Sequence, residues 1–190
     1  MKATNHGGLR AVHLQTAGRV FIRAPRRRDC EEFLALVDAS ARLLGSWAAP
    51  PASREAFNQY LKRCRERDFE GFLVCRADDE RIVGSVNLSQ IFHGNFQSAY
   101  MGYFVGEPYA RRGYATGALR LVLGEAFGRL KLHRVEANIQ PGNAASIALV
   151  RRLGFEREGF SRRYLKIAGR WRDHERWAIL AEDWRLTRQK

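Results

Sequence analysis

Acidic residues, cysteine and long apolar runs are all scarce in this chain of 190 residues. The three cysteines, Cys30, Cys64 and Cys75, are odd in number and widely spaced. That excludes a disulfide framework or a metal knuckle, so they read as buried thiols and no metal is expected. No apolar run reaches the roughly eighteen residues of a membrane-spanning helix. The N-terminal stretch MKATNHGGLRAVHLQTAGRV has no signal-peptide core. The expectation is a cytoplasmic protein with no membrane partner. Two phosphate-binding designs are missing as well, since neither Gly-x-x-x-x-Gly-Lys-Ser/Thr nor Gly-x-Gly-x-x-Gly occurs. Against 20 Asp and Glu stand 33 Lys and Arg, a formal charge of +13. Arginine clusters such as Arg26-Arg27-Arg28, Arg151-Arg152 and Arg162-Arg163 carry much of the excess. Such a surface attracts polyanions, whether nucleic acid, ribosome or a phosphorylated cofactor. The alternative is that these are solvated faces of an arginine-rich protein.

What is present reads as one domain over residues 19–188, preceded by a flexible extension over residues 1–18. No repeat, low-complexity tract or linker interrupts it. Arg19–Arg23 alternates like a strand. Asp29 to Glu32 reads as a capping box before a helix burying Phe33, Leu36 and Val37. Ala41 to Ser53 reads as a loop, and Ser53 as the cap of a second helix through Phe57, Tyr60 and Leu61. Phe69–Arg76 and Arg81–Ile91 are predicted strands, followed by a turn at His93-Gly94-Asn95 and a strand holding Tyr100 and Tyr103. Phe155–Ile167 and Trp171–Leu180 read as a final hairpin. The predicted fold class is α/β: a mixed, mainly antiparallel sheet flanked by helices, with one strand–helix–strand crossover.

The stretch from Met101 to Phe155 organises the rest. An apolar run stops at Gly106-Glu107-Pro108, and Arg111-Arg112-Gly113-Tyr114-Ala115-Thr116 leads into a helix. That helix has its apolar face at Leu119, Val122, Leu123, Ala126, Phe127 and Leu130. N–H groups at a helix start lack intrahelical partners, and the helix dipole adds positive charge there. A phosphate meets both needs, and Gly113 lets it approach the backbone. A second strand, Leu132–Ile139, then runs to Pro141-Gly142-Asn143 and a short helix.

This order, with Asn143-x-x-Ser146 and Leu153-Gly154-Phe155, resembles the GNAT acetyltransferase family. It is most similar to the RimJ/RimL group of ribosomal-protein alanine N-acetyltransferases. Leu44-Gly45-Ser46-Trp47, Val83-Gly84-Ser85-Val86-Asn87-Leu88, His93-Gly94-Asn95-Phe96 and Gly169-Arg170-Trp171-Arg172-Asp173-His174 extend the resemblance over residues 19–185. Three positions depart from the family pattern. Ala110 stands at the usual Gln/Arg, Gly117 interrupts the common Thr-Glu-Ala, and Val150 replaces a tyrosine that serves many members as general acid.

The resemblance implies acetyl-CoA as co-substrate, with its pyrophosphate on Arg111, Arg112, Gly113, Tyr114, Ala115 and Thr116. The pantetheine would run beside Tyr103, Phe104 and Val105, and the thioester would point toward Asn143 and Ser146. With tyrosine missing at position 150, Ser146 becomes the acid candidate, and Asn143 doubles as a helix cap. Glu136 is the base candidate, directly or through water, unless it pairs with an arginine. Trp47, His93, Phe96, Tyr103, Tyr164 and Asp173 or His174 are candidates to line the acceptor groove. Asp173-His174 is not a nucleophile triad, because no Ser or Cys has a fitting context. A site without a strong base suits an α-amine. Neutralising a lysine near pH 7.5 costs roughly 4 kcal/mol, against about 0.5 for an N-terminal amine. The expected acceptor is therefore a protein N-terminus, such as that of a ribosomal protein. A small amine (amino sugar or polyamine) and a catalytically silent ribosome- or RNA-binding factor are the alternatives. A monomer or homodimer is expected.

Overall fold

The structure, a computed structural model, describes residues 15–45 and 47–187. Alternating apolar and β-branched residues build a core of long strands. These are β1 (Gln15–Ala17), β2 (Val20–Arg23), β3 (Phe69–Arg76), β4 (Ile82–Phe92) and β5 (Ser98–Val105), followed by β6 (Arg134–Ile139), β7 (Glu156–Ile167) and β8 (Arg170–Leu180). They form an eight-stranded sheet in the order β1-β2-β3-β4-β5-β6-β8-β7. Among the described strands only β5 and β6 run parallel, because the helix α4 (Tyr114–Gly128) crosses between them.

Period-two alternation sends successive side chains to two cores. On one face Val74, Val86, Met101, Val135 and Ile179 pack under α4, whose Leu119, Val122, Leu123 and Ala126 are buried as their spacing predicts. α5 (Ala144–Arg152) lies against the same core through Leu149 and Val150. On the other face Phe21, Leu73, Cys75 and Phe104 meet Phe33, Phe57 and Tyr60, from α1 (Cys30–Ala39) and α3 (Arg54–Arg63). Ser53 caps α3, its Oγ accepting the Ala56 N–H at 3.1 Å.

The structure corrects the sequence reading in four places. Asp29 does not cap α1. A short 3-10 turn aims its carboxylate back at the end of β2, where it takes both arms of the Arg23 guanidinium at 2.7 and 2.9 Å and the Arg26 N–H at 2.6 Å. Glu32, the other half of the expected box, instead accepts the Ile82 N–H at 2.8 Å. A charge-assisted pair for a buried carboxylate outweighs a cap. Within the expected loop 41–53, Ala41–Leu44 forms a helical turn, α2, that buries Leu44. Gln15–Ala17, placed in the extension, pairs with β2, whereas residues 1–14 of that extension and Ser46 of the early Trp loop lie outside the described residues. A last helix, α6 (Ala181–Thr187), follows β8 directly and buries Ala181 and Trp184.

Candidate active site

The sheet opens where its one parallel pair ends. β5 and β6 pair only over Ser98–Tyr100 and Arg134–Glu136, yet β5 continues to Val105 and β6 to Ile139. β4 holds the tail of β5 in place, with Gly84 opposite Val105. The approach is so close that a Cβ on Gly84 would sit 2.1 Å from the Phe104 carbonyl oxygen. The edge of β5 facing the gap therefore carries backbone groups that β6 does not satisfy.

At the end of that tail the chain turns through Glu107–Tyr109, anchored by the Glu107 N–H on Ser40 Oγ at 2.9 Å and by an ion pair to Arg42. Arg111 (φ 61°) and Gly113 (φ 82°) then adopt left-handed backbone. No side chain caps α4, and its first turn closes with the Gly117 N–H donating to Gly113 O at 3.2 Å. The result is a concave row of N–H groups at a helix start, flanked by exposed Arg111 and Arg112. Tyr114 contributes main chain only. Its ring is buried beneath the Arg19 guanidinium (5.4 Å) and beside Tyr109 (6.2 Å). Phe104 likewise faces the α1 core, edge-on to Phe33 at 5.9 Å, while Val105, Ala115 and Thr116 are half-buried.

Across the gap, Asn143 caps α5 by accepting the Ser146 N–H at 3.1 Å. Ser146 Oγ then lies 2.7 Å from the Tyr103 hydroxyl, a link from α5 to β5 across the opening. Burial pushes the Tyr103 phenol up to about 12, tempered by the Ser146 hydrogen bond, so Tyr103 stays protonated at neutral pH. Trp47 packs over the turn into α5, since a Cβ on Gly142 would lie 3.1 Å from its ring. Val150, at the position of the missing tyrosine, is fully buried in the α4-side core.

The opposite face has different chemistry. α1 and α3 pack against the strands carrying Phe21, Leu73, Cys75 and Phe104, and beyond them β6 and β8 present a polar strip. Glu136 is buried there, accepting from Arg134 Nε at 2.8 Å and Arg176 Nη2 at 3.4 Å. Arg134 also reaches Glu158. The Tyr100 and Tyr164 hydroxyls meet at 3.5 Å, and Tyr100 is pushed up to about 12 by that contact and by burial. Tyr164 stands edge-on to the ring of His174 at 6.1 Å. Burial holds His174 below its ordinary pKa, and its Nδ1 lies 3.0 Å from the Arg172 carbonyl oxygen.

The structure thus gathers Tyr103, Asn143, Ser146 and Trp47 at one mouth of the opening, and Glu136, Tyr164 and His174 on the polar strip. Asp173 and His93 stand apart. Asp173 Oδ1 accepts the Arg163 N–H at 2.7 Å, pinning a bulge where Arg163 has φ 47°, and so it orders the hairpin. His93 is exposed in the β4–β5 turn, at the far end of β5 from the Arg111–Thr116 turn, near Phe96 and Phe92, whose rings are 6.1 Å apart. Sequence reasoning missed Tyr100 and Arg176. One signal was available for the first: Tyr100 and Tyr103 are three apart on a strand, so they serve opposite faces. Among the described residues, no group of three or more His, Cys, Asp or Glu is placed to hold a metal ion, and no helix is long and apolar enough to cross a membrane.

Comparison with known proteins agrees with this fold. The family described as acetyltransferase (GNAT) domain matches residues 19–156. The probable N-acetyltransferase YjcK of Bacillus subtilis is 39% identical over 130 residues, covering 68% of this chain and 72% of that protein. The [ribosomal protein uS5]-alanine N-acetyltransferase of Escherichia coli is 37% identical over 107 residues, covering 56% of this chain and 55% of that one. RimJ of Mycobacterium smegmatis, solved in complex with CoA-disulfide, superposes with a TM-score of 0.80 at 30% identity, covering 89% of this chain and 86% of that one. Spermidine N-acetyltransferase of Vibrio cholerae, solved with CoA and spermine, shares the fold with a TM-score of 0.76 at 22% identity, covering 88% and 99%.

Proposed function

The chain belongs to the GNAT acetyltransferase family and is an acetyl-CoA-dependent N-acetyltransferase; we propose that its acceptor is the N-terminal α-amine of a protein, of the ribosomal-protein alanine type. The observation that carries this reading is the state of Glu136. The carboxylate nearest Tyr100 on the polar strip arrives already paired with two guanidinium groups. A polyamine needs surplus negative charge, and this strip does not supply it. Glu136 so held is occupied by both guanidinium groups, and an α-amine, about half neutral near pH 8, needs no strong base. The similarity to the uS5-alanine enzyme supports the same acceptor class.

In this reading the N–H groups from Arg111 to Thr116, with the Arg111 and Arg112 charges, hold the pyrophosphate of acetyl-CoA, which supplies an acetyl thioester. The free edge of β5 orients the pantetheine arm. Tyr103 donates its proton to Ser146 Oγ, leaving the Ser146 O–H free to donate toward the leaving sulfur. Glu136 takes up the amine proton through water, and Trp47 closes the mouth above Asn143. Gly113→Val tests the phosphate turn. Left-handed backbone costs a β-branched residue about 1–3 kcal/mol. The KM for acetyl-CoA should therefore rise about tenfold with kcat little changed; an unchanged KM contradicts the assignment.

The function itself is tested by following thiol release with Ala-, Ser- and Thr-starting peptides, polyamines and amino sugars. Turnover on the peptides, abolished by blocking their N-termini, is expected. Turnover confined to polyamines or amino sugars overturns the proposal.

A further inference from the structure

Three buried polar atoms lack hydrogen-bond partners among the described residues: Asn138 Oδ1, Arg172 Nε and Arg176 Nε. All three residues lie on the polar strip. Asn138 and Arg176 are direct partners in the β6–β8 register and therefore share a face, and Asn138 follows Glu136 by two residues on that face. Arg172, four residues before Arg176 on β8, continues the same face. These three atoms are themselves closed to solvent, but among the described residues Asn138 Nδ2 and the Arg172 Nη groups of the same side chains also lack a hydrogen bond, so the strip next to the acceptor end of the opening presents unpaired donors.

Their chemistry is specific. The accessible groups of these side chains are all donors. A peptide brings the complement, main-chain carbonyls for Asn138 Nδ2 and Arg176 and a side-chain carboxylate for Arg172. A polyamine brings donors only, and both guanidinium groups repel it. Arg172 differs from Arg134 and Arg176, which are paired with Glu136. No carboxylate forms an ion pair with Arg172 among the described residues. Four residues of strand span about 13 Å, roughly four residues of an extended peptide.

Resting on the α-amine reading above, we propose that Asn138, Arg176 and Arg172 form a subsite that reads the chain behind the acceptor amine. It selects protein N-termini carrying an acidic side chain within the first four residues. Asn138 and Arg176 hold the first peptide group, and Arg172 takes the carboxylate in a charge-assisted pair.

Three Ala-starting peptides that differ only at the third residue (Asp, Asn or Lys) provide the test. In steady-state acetyl transfer at low ionic strength, kcat/KM for the Asp peptide should exceed that for the Lys peptide about tenfold or more. The difference should lie in KM and shrink with added salt. Arg172→Glu should reverse the order. The Asp-to-Lys ratio is taken on one preparation, so any loss of folded enzyme cancels. If the wild type uses all three peptides equally, water alone fills the strip and the subsite is refuted while the α-amine reading stands. If it acetylates spermidine and no peptide, both fall.

Discussion

Ser146→Ala is expected to lower kcat about a hundredfold, within the range for removal of a positioned proton donor, and to leave the KM for acetyl-CoA nearly unchanged. The cap that shapes the start of α5 uses the Ser146 backbone N–H, so it survives the substitution. What is lost is the hydroxyl and its 2.7 Å bond to Tyr103. Because Tyr103 is held neutral, it can donate to Ser146 without first acquiring a proton. Tyr103→Phe alone should then cost about tenfold, and the double variant should be no slower than Ser146→Ala, the non-additivity of two groups acting through one proton path. Steady-state rates at saturating acetyl-CoA decide this. A Tyr103→Phe defect larger than that of Ser146→Ala would make the phenol itself the donor.

Gly84→Val should be the most destabilising single change near the site. A Cβ at Gly84 would lie 2.1 Å from the Phe104 carbonyl oxygen and 3.0 Å from the Val105 Cα. Both are backbone atoms, so no side chain can rotate away, and β5 must move or the β4–β5 ladder must break. Overpacking of this kind costs about 3 kcal/mol, or roughly 10 °C in Tm for a chain this long. Because the displaced segment carries Tyr103, Phe104 and Val105, kcat/KM should also fall in the fraction that remains folded. Gly102→Ala is the matched control on the same strand. Nothing lies within 4 Å of its Cβ, so a Tm change of only a few degrees is expected. Thermal unfolding of the two variants side by side checks the pair, and equal melting would show that the tight β4–β5 approach is not needed.

Elements with a strong period were legible from the sequence. β3, β4 and the β7–β8 hairpin were placed within a residue or two, and α4 buries the face its spacing marks. Ser53 was readable as a cap because a small hydroxyl before a helix has few other uses. Asp29 was not, since local spacing cannot show that Arg23 waits across the turn. α6 escaped because it leaves β8 with no glycine or proline to mark the change. At the site, the turn from Arg111 to Thr116 could be proposed for phosphate from the sequence, because its N–H groups and charges belong to one continuous segment. The Tyr103–Ser146 link spans 43 positions, and Glu136 meets Arg176 across 40, so both depend on tertiary folding. The orphaned Asn138 and Arg176 are a property of register, which the sequence pattern left open.

The central claim is that the acetyl group goes to an α-amine, and one peptide tests it directly. An Ala-starting peptide with an internal lysine, incubated with acetyl-CoA and fragmented in a mass spectrometer, reports which nitrogen was modified. The account predicts acetyl on the α-nitrogen alone at early times. Acetyl on the lysine side chain, with the N-terminus left free, would contradict it.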